Sequence, residues 1–229
     1  MDLIFFDLDG TLLNSQSQIS DFTRETLALL RKNDIAYTVA TGRTMLSASA
    51  IIAEHSFLLP HIYNNGVTVF NPQDNSLKLE NLVNPNELEF IISLAQEQGI
   101  TPFVNVIAGT SHEVYHPPAR HPIEHDLLSK YFKRTDAVLL PLSQLSLTDN
   151  ITNISMIGDS ATIHSLWDRV NKVDTLVAYS GPAIEGNNFS WMDIHHRAAS
   201  KGGAVKQLKQ QLGATNIICF GDGDNDLSM

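Results

Sequence analysis

The chain has a single cysteine, Cys219, among its 229 residues, which excludes an internal disulfide and favours a reducing compartment. Cys219 lies in the apolar run Ile217 to Phe220, which favours a buried thiol over a catalytic one. No apolar run reaches membrane-spanning length, and Asp2 stands where a secretory signal needs basic residues. We therefore expect a cytoplasmic protein with no membrane partner.

Positive charge is also scarce, with 15 Lys and Arg against 25 Asp and Glu and a formal net charge of −10. This balance argues against a nucleic-acid surface, because such a surface needs clustered basic residues. A small anionic substrate would need local compensation from a metal ion, a lysine or backbone N–H groups. The oligomeric state is not readable from these features.

The order of apolar runs predicts an α/β protein of two domains. Leu3 to Phe6 is typical of a buried parallel strand, and a helical pattern then leads to a second β-rich run, Ile35 to Ala40. Asn64-Asn65-Gly66 is a hairpin signal. The amino-acid composition changes near residue 82. This change predicts a core formed by residues 1–82 and 187–229, with an inserted α/β domain over 83–186.

Two carboxylates follow the first predicted strand directly, in the motif Asp7-Leu8-Asp9-Gly10-Thr11. Residues at the carboxyl ends of parallel strands lie where open α/β sheets bind ligands. A turn capped by an Asx side chain would explain one aspartate and Gly10, but not both carboxylates in this context. The motif therefore favours a functional site.

A second acidic cluster, Gly221-Asp222-Gly223-Asp224-Asn225-Asp226, follows the apolar strand that ends at Phe220. If the two strands are neighbours, Asp7, Asp9, Asp222 and Asp226 converge. Clustered carboxylates normally imply a bound cation or raised pKa values, and hard oxygen ligands favour Mg²⁺. The alternatives are a plain acidic turn or the start of a calcium-binding loop. The Glu that closes a calcium-binding loop is missing from the sequence after this cluster.

Two further features are compatible with phosphate binding, namely Thr41-Gly42 after the second strand and Lys201 at the start of a predicted helix. Each alone is weak, since a turn and a solvated surface lysine are the ordinary interpretations.

Taken together, these segments resemble the haloacid dehalogenase (HAD) superfamily of hydrolases. Asn65-Gly66-Val67, the Lys201 to Val205 segment and the insertion are similar to the Cof-type branch, subfamily IIB. The resemblance implies a Rossmann-like parallel-sheet core with an inserted α/β cap of type C2B. It also implies a phosphatase, a phosphoric monoester hydrolase, that acts on small phosphorylated metabolites such as sugar phosphates.

The family's roles transfer to matching positions as expectations. Asp7 would be the nucleophile that forms an aspartyl-phosphate, and Asp9 the general acid and base. The resemblance implies Mg²⁺ held by Asp7, the backbone carbonyl of Asp9 and Asp222, with Asp226 in support. The residues expected to bind the phosphoryl group are Leu8, Thr41, Gly42, Lys201 and Asn225.

Four histidines in the inserted domain, His112, His116, His121 and His125, suggest zinc only weakly, because their spacing matches no compact metal pattern. We expect them to be solvated loop residues. The two tryptophans, Trp167 and Trp191, are expected to be packing residues.

Alternatives to a phosphatase remain open from the sequence. A phosphotransferase or mutase would use the same aspartyl-phosphate, and a phosphometabolite-binding module would keep the fold without catalysis. Dehalogenation is disfavoured because family members with that activity generally lack the second aspartate, present here as Asp9. The family normally continues past the fourth motif, so the core is expected to be truncated after Met229.

Overall fold

The computed structural model describes residues 2–109, 111–130, 135–183, 186 and 188–229. The α-helices in these ranges are α1 (Asp21–Lys32), α2 (Met45–Ile52), α3 (Pro85–Gln98), α4 (Pro122–Lys130), α5 (Ser160–Val170) and α6 (Lys201–Leu212). The strands are β1 (Asp2–Phe6), β2 (Ala36–Val39), β3 (His61–Tyr63), β4 (Thr68–Asn71), β5 (Ser76–Leu79), β6 (Phe103–Ala108), β7 (Ser111–His116), β8 (Val138–Pro141), β9 (Ile151–Asp159), β10 (Leu176–Pro182), β11 (Phe189–His196) and β12 (Asn216–Phe220).

The chain divides into a first unit, Met1–Glu80 with Ala199–Met229, and a second unit, Asn81–Ala198. The first boundary, after Glu80, lies close to the change of composition near residue 82. The second boundary was wrongly placed at 187, because β11 pairs antiparallel with both β9 and β10. The segment expected to return to the core is instead an inner strand of the second unit's sheet.

The first unit is built on a parallel sheet in the order β12-β1-β2. Its central strand is buried, with Leu3 and Phe5 at 0% exposure, because side chains pack on both of its faces. A bridge from Ala40 to Ile62 leads to a second sheet, β3-β4-β5, whose hairpin turns at the expected Asn64–Gly66 segment.

Strand β12 is less buried than the sequence indicated. Ile218 and Phe220 are 47% and 48% exposed, and Cys219 is half-buried and packed against the first unit's core. The thiol predicted to be buried is therefore a core contact that is only half-buried.

The second unit has a six-stranded sheet in the order β10-β11-β9-β6-β7-β8. Neighbouring strands are antiparallel except β7 and β8. Helices α3 and α5 supply Ile91, Ile163 and Leu166 to a core that includes Met192 and Ile194 of β11. Because strand side chains alternate, Asp193 lies on the opposite face.

Strand β7 corrects the interpretation of the histidines. His112 and His116 lie on this strand, and His112 is buried at 6% exposure rather than solvated in a loop. His121 precedes α4, and His125 lies within it. Within the described part of the chain, no helix is long and apolar enough to span a bilayer.

Candidate active site

Asp7 directly follows the carboxyl end of β1 and lies in a buried position. Its backbone N–H donates to the carbonyl of Phe220 at 2.9 Å, and the residue is 5% exposed. Since β1 and β12 are parallel neighbours in register, the segments that follow them emerge at the same edge of the sheet. The loop after Phe220 therefore lies beside Asp7.

Lys201 joins the two acidic segments as a buried cation. It is the first residue of α6, whose N-cap Ser200 accepts a hydrogen bond from the N–H of Gly203. The Lys201 Nζ lies 2.7 Å from Oδ1 of Asp7 and 2.6 Å from Oδ1 of Asp226, and the residue is 1% exposed. A lysine this buried requires such partners, because an unpaired charge is costly to remove from water. The interpretation as a solvated surface lysine is thus excluded.

The Asp226 side chain also shapes its own loop. Its Oδ2 accepts hydrogen bonds from the N–H groups of Asp222 at 3.1 Å and Gly223 at 2.9 Å. Gly10 adopts a φ of +72°, and a Cβ there would overlap the Asp222 carboxylate. The close approach of the two acidic segments therefore depends on a residue without a side chain.

The three carboxylates form a potential cation site. Oxygen atoms of Asp7, Asp222 and Asp226 all lie within 4.8 Å of one another. Burial raises the pKa of Asp7, while the Lys201 ammonium acts in the opposite direction. One lysine against three carboxylates leaves net negative charge, and the all-oxygen donor set suits a hard divalent cation. Among the described side chains no second group of this kind occurs, and the four histidines do not form one.

Asp9 does not join this group through its carboxylate. Its side chain is 57% exposed and accepts two hydrogen bonds from Arg43, from Nε at 2.7 Å and from Nη2 at 2.6 Å. Arg43 Nη2 also donates to Ser17 Oγ at 3.2 Å. This paired geometry fixes the carboxylate more firmly than a single contact could. The sequence interpretation missed Arg43, although it directly follows Thr41-Gly42.

The expected phosphate-binding residues are placed around the end of β2. Thr41 is fully buried, and its Oγ accepts from the N–H of Arg43 at 3.1 Å. A Cβ on Gly42 would lie 3.3 Å from Oδ1 of Asn65 and 3.4 Å from Nδ2 of Asn225. Asn225 Nδ2 donates to Asn65 Oδ1 at 2.8 Å. Leu8, whose backbone was expected to contribute, directly follows Asp7 and buries its side chain.

Asn65 is a second residue of the site to which the sequence interpretation gave no role there. Its N–H donates to the carbonyl of Thr41 at 3.0 Å, and its neighbour Gly66 has a φ of +100°. A Cβ on Gly66 would lie 2.5 Å from the carbonyl oxygen of Ser200. This glycine therefore allows the β3–β4 turn to approach the start of α6.

The fold and the site define an α/β enzyme with a carboxylate-rich centre at the carboxyl edge of a parallel sheet. A family model described as haloacid dehalogenase-like hydrolase matches residues 4–229. The chain therefore belongs to the haloacid dehalogenase-like hydrolase family, and it is an enzyme of the phosphatase type. The recognition of this superfamily and its Cof-type branch from the sequence is confirmed.

Curated relatives cover nearly all of the chain. An HMP-PP phosphatase from Escherichia fergusonii is 38% identical over 234 residues, which cover 99% of this chain and 79% of that protein. A 5-amino-6-(5-phospho-D-ribitylamino)uracil phosphatase, YitU, from Bacillus subtilis is 24% identical over 234 residues, covering 99% and 82%. The chain spans only 39% of a chloroplastic endoribonuclease YBEY from Arabidopsis thaliana, to which it is 26% identical over 261 residues.

Solved structures show the same fold. A haloacid dehalogenase-like hydrolase from Bacteroides thetaiotaomicron has a TM-score of 0.75 at 20% identity, covering 100% of this chain and 84% of that one. A sugar phosphatase described as HAD subclass IIB gives a TM-score of 0.73 at 17% identity, with the same coverage. The predicted α/β fold class is thereby confirmed.

Proposed function

We propose that this chain is a magnesium-dependent phosphatase that hydrolyses small phosphorylated metabolites through an aspartyl-phosphate on Asp7. One observation carries the proposal: the buried Asp7 carboxylate is held by Lys201 and lies beside Asp222 and Asp226 at the end of β1. A carboxylate fixed at a sheet edge next to a cation is suited to attack phosphorus.

In the first step, a carboxylate oxygen of Asp7 attacks phosphorus while the bond from phosphorus to the leaving oxygen breaks. Asp9 gives its proton to that oxygen. In the second step, Asp9 takes a proton from water as the water oxygen attacks phosphorus, which releases inorganic phosphate and restores Asp7. Asp9 thus changes from acid to base. Arg43 contacts both carboxylate oxygens in the structure, so in the acid step one oxygen would carry the proton in place of its Arg43 contact, while the other contact keeps the group oriented.

Asp7, Asp222 and the backbone carbonyl of Asp9 would hold Mg²⁺, with Asp226 in support. Bound there, the ion supplies positive charge to a phosphoryl group that carries negative charge throughout the reaction. The chain's own contribution is Lys201, together with the N–H groups of Leu8 and Gly42 and the side chains of Thr41 and Asn225, as donors to phosphoryl oxygens. These groups supply the local compensation that an acidic chain needs.

The class of substrate follows from the relatives. The names of the Escherichia fergusonii and Bacillus subtilis proteins identify phosphatases of small metabolites. We infer the same class for this chain, and we assign the choice of substrate to the second unit, as the cap.

The experiment is release of phosphate from a generic aryl phosphate, with and without Mg²⁺, by the parent chain and by Asp7→Asn. We expect Mg²⁺-dependent release that falls at least about a thousandfold in Asp7→Asn, since the near-isosteric change removes the nucleophile. Asp2→Asn is a matched control, because Asp2 is an exposed carboxylate on the same strand, and it should retain parental activity.

The outcomes separate the alternatives. Full activity in Asp7→Asn would contradict the assignment of the nucleophile. Transfer of phosphate to an added alcohol or sugar in place of water would indicate a phosphotransferase. Binding without turnover by the folded parent would indicate a phosphometabolite-binding module.

A further inference from the structure

The turn between β3 and β4 holds its backbone in a conformation that few side chains tolerate. Three successive residues, Asn64, Asn65 and Gly66, have φ values of +49°, +52° and +100°. This left-handed region is costly for most residues with a side chain, although asparagine adopts it more readily than others. Both asparagines are buried, at 4% and 5% exposure. A fold that retains such a conformation at buried residues suggests that they have a function there.

The backbone of this turn holds the peptide groups on both sides of Gly42. The N–H of Asn65 donates to the carbonyl of Thr41 at 3.0 Å, and the N–H of Asn64 donates to the carbonyl of Arg43 at 2.9 Å. The Thr41 carbonyl and the Gly42 N–H belong to one trans peptide group, so they point in opposite directions. The bond from Asn65 therefore turns the Gly42 N–H away from the turn, and that N–H has no hydrogen-bond partner among the described residues.

The side chain of Asn65 fixes the direction in which the Asn225 amide faces. Asn225 Nδ2 donates to Asn65 Oδ1 at 2.8 Å, and reversal of the Asn225 amide alone would bring two oxygens together at that place. A Cβ on Gly42 would lie 3.4 Å from Asn225 Nδ2, whereas a Cβ on Gly223 would lie 2.8 Å from Asn225 Oδ1. The donor end of Asn225 thus faces Gly42. Its second hydrogen has no partner within the described part of the chain.

We propose that Asn65 is a positioning residue for phosphate binding, because its N–H orients the Gly42 peptide and its Oδ1 orients the Asn225 amide. Asn65 acts through these two donors and does not itself contact the phosphoryl group. The inference rests on the proposed function, in which Gly42 and Asn225 donate to phosphoryl oxygens. Donors that are held in place before the anion arrives bind it more tightly, because less freedom is lost on binding.

Asn65→Gly tests the side-chain part of this role. Glycine accepts a φ of +52° and keeps the backbone N–H, so the variant removes only the amide. Calorimetry on the full chain, with inorganic phosphate in the presence of Mg²⁺, should show an affinity about tenfold lower than that of the parent, as for loss of one hydrogen bond to a charged group. The control Asn75→Gly makes the same change at an exposed turn residue with a φ of +56° and should bind phosphate as the parent does.

A double variant separates positioning from a merely structural role. If Asn65 acts through Asn225, then Asn225→Ala and Asn65→Gly/Asn225→Ala should each bind phosphate about tenfold more weakly than the parent, because the same contact is lost only once. Independent structural effects would instead multiply to about a hundredfold. In aryl phosphate turnover, Asn65→Gly should divide its loss between kcat and KM as Asn225→Ala does. Multiplied effects, or parental affinity in Asn65→Gly, would overturn the proposal.

If Asn65→Gly does not fold, the Asn225 side-chain amide of the parent decides. Its two Nδ2 protons are assigned by NMR from their loss in Asn225→Ala. Added phosphate should shift one proton resonance and leave the other, which is bonded to Asn65, in place. A shift of both resonances or of neither would contradict the proposed role.

Failure of the proposed function has a different signature. A folded parent that binds inorganic phosphate, with the affinity pattern described for the variants, but releases none from an aryl phosphate would lose the function and keep the role of Asn65. A parent that turns over aryl phosphate, with Asn65→Gly unchanged in affinity and turnover, would keep the function and lose that role. A folded parent that binds no phosphate in the presence of Mg²⁺ would overturn both.

Discussion

Each unit holds a carboxylate that is at least partly removed from water, and the two units satisfy it in opposite ways. Asp7 of the first unit has the Lys201 ammonium at 2.7 Å, whereas Asp193 of the second unit has only the neutral donors Ser155 and Asn153. Burial raises the pKa of both. The first arrangement places a cation beside the carboxylate, while the second satisfies the carboxylate with neutral donors alone.

The comparison requires that Lys201 be essential to the first unit. Lys201→Met leaves the Asp7 and Asp226 carboxylates without their cation, so we expect the free energy of unfolding to fall by about 3–5 kcal/mol. Denaturant titration measures this change. Lys206→Met, on the exposed side of the same helix, should change it by less than about 0.5 kcal/mol. Equal changes in the free energy of unfolding for the two variants would mean that the ion pairs of Lys201 do not stabilise the fold.

Glu124, a fully buried carboxylate of the second unit, extends the comparison because four neutral donors satisfy it without a cation. It accepts from the N–H and Oγ of Thr101 and from the N–H groups of Arg120 and His121. Burial alone would raise its pKa, but these bonds outweigh burial and lower it. We expect Glu124→Gln to reduce the free energy of unfolding by about 2–3 kcal/mol near pH 7.

The pH dependence of that effect has a fixed sign. Because the folded-state pKa of Glu124 lies below its ordinary value of 4.5, its stabilisation is complete above about pH 4.5 and is lost as the pH falls through the folded pKa. The difference between parent and Glu124→Gln should therefore shrink on acidification. A difference that grows at low pH would contradict this account.

The smallest expected effect on stability concerns Arg43. Its ion pair with Asp9 is partly exposed, so Arg43→Ala should lower the free energy of unfolding by less than about 1 kcal/mol. Loss of orientation of Asp9 should lower kcat about tenfold or more, with partial rescue in Arg43→Lys. Arg24→Ala removes an exposed ion pair with Asp21 and should leave kcat unchanged. An unaltered kcat in Arg43→Ala would show that the ion pair between Arg43 and Asp9 has no role in turnover.

Sequence reasoning was effective where the signal is local. An apolar run followed by Asp7 identifies a strand and the chemistry at its end together. That β1 and β12 are neighbours was only a condition of the sequence argument, and the structure supplies it. The roles of the site residues remain predictions, as do Mg²⁺ and a cytoplasmic location.

Features that depend on tertiary pairing were not readable in the same way. The period-2 pattern of β11 does not reveal which sheet it joins, so its segment was assigned to the wrong unit. The ion pair between Arg43 and Asp9 joins side chains that are 34 residues apart in the sequence. His112 looked like a loop residue because β7 is short and polar. Burial at such positions is decided by neighbouring strands, which local composition does not encode.

The most direct test of the central claim is to trap the phosphoryl group on the protein. The parent, mixed with an aryl phosphate and Mg²⁺ and quenched in acid within one turnover, should carry one phosphoryl group on the peptide containing Asp7, as located by mass spectrometry. Phosphate release without labelling of that peptide, or labelling that persists in Asp7→Asn, would contradict the account.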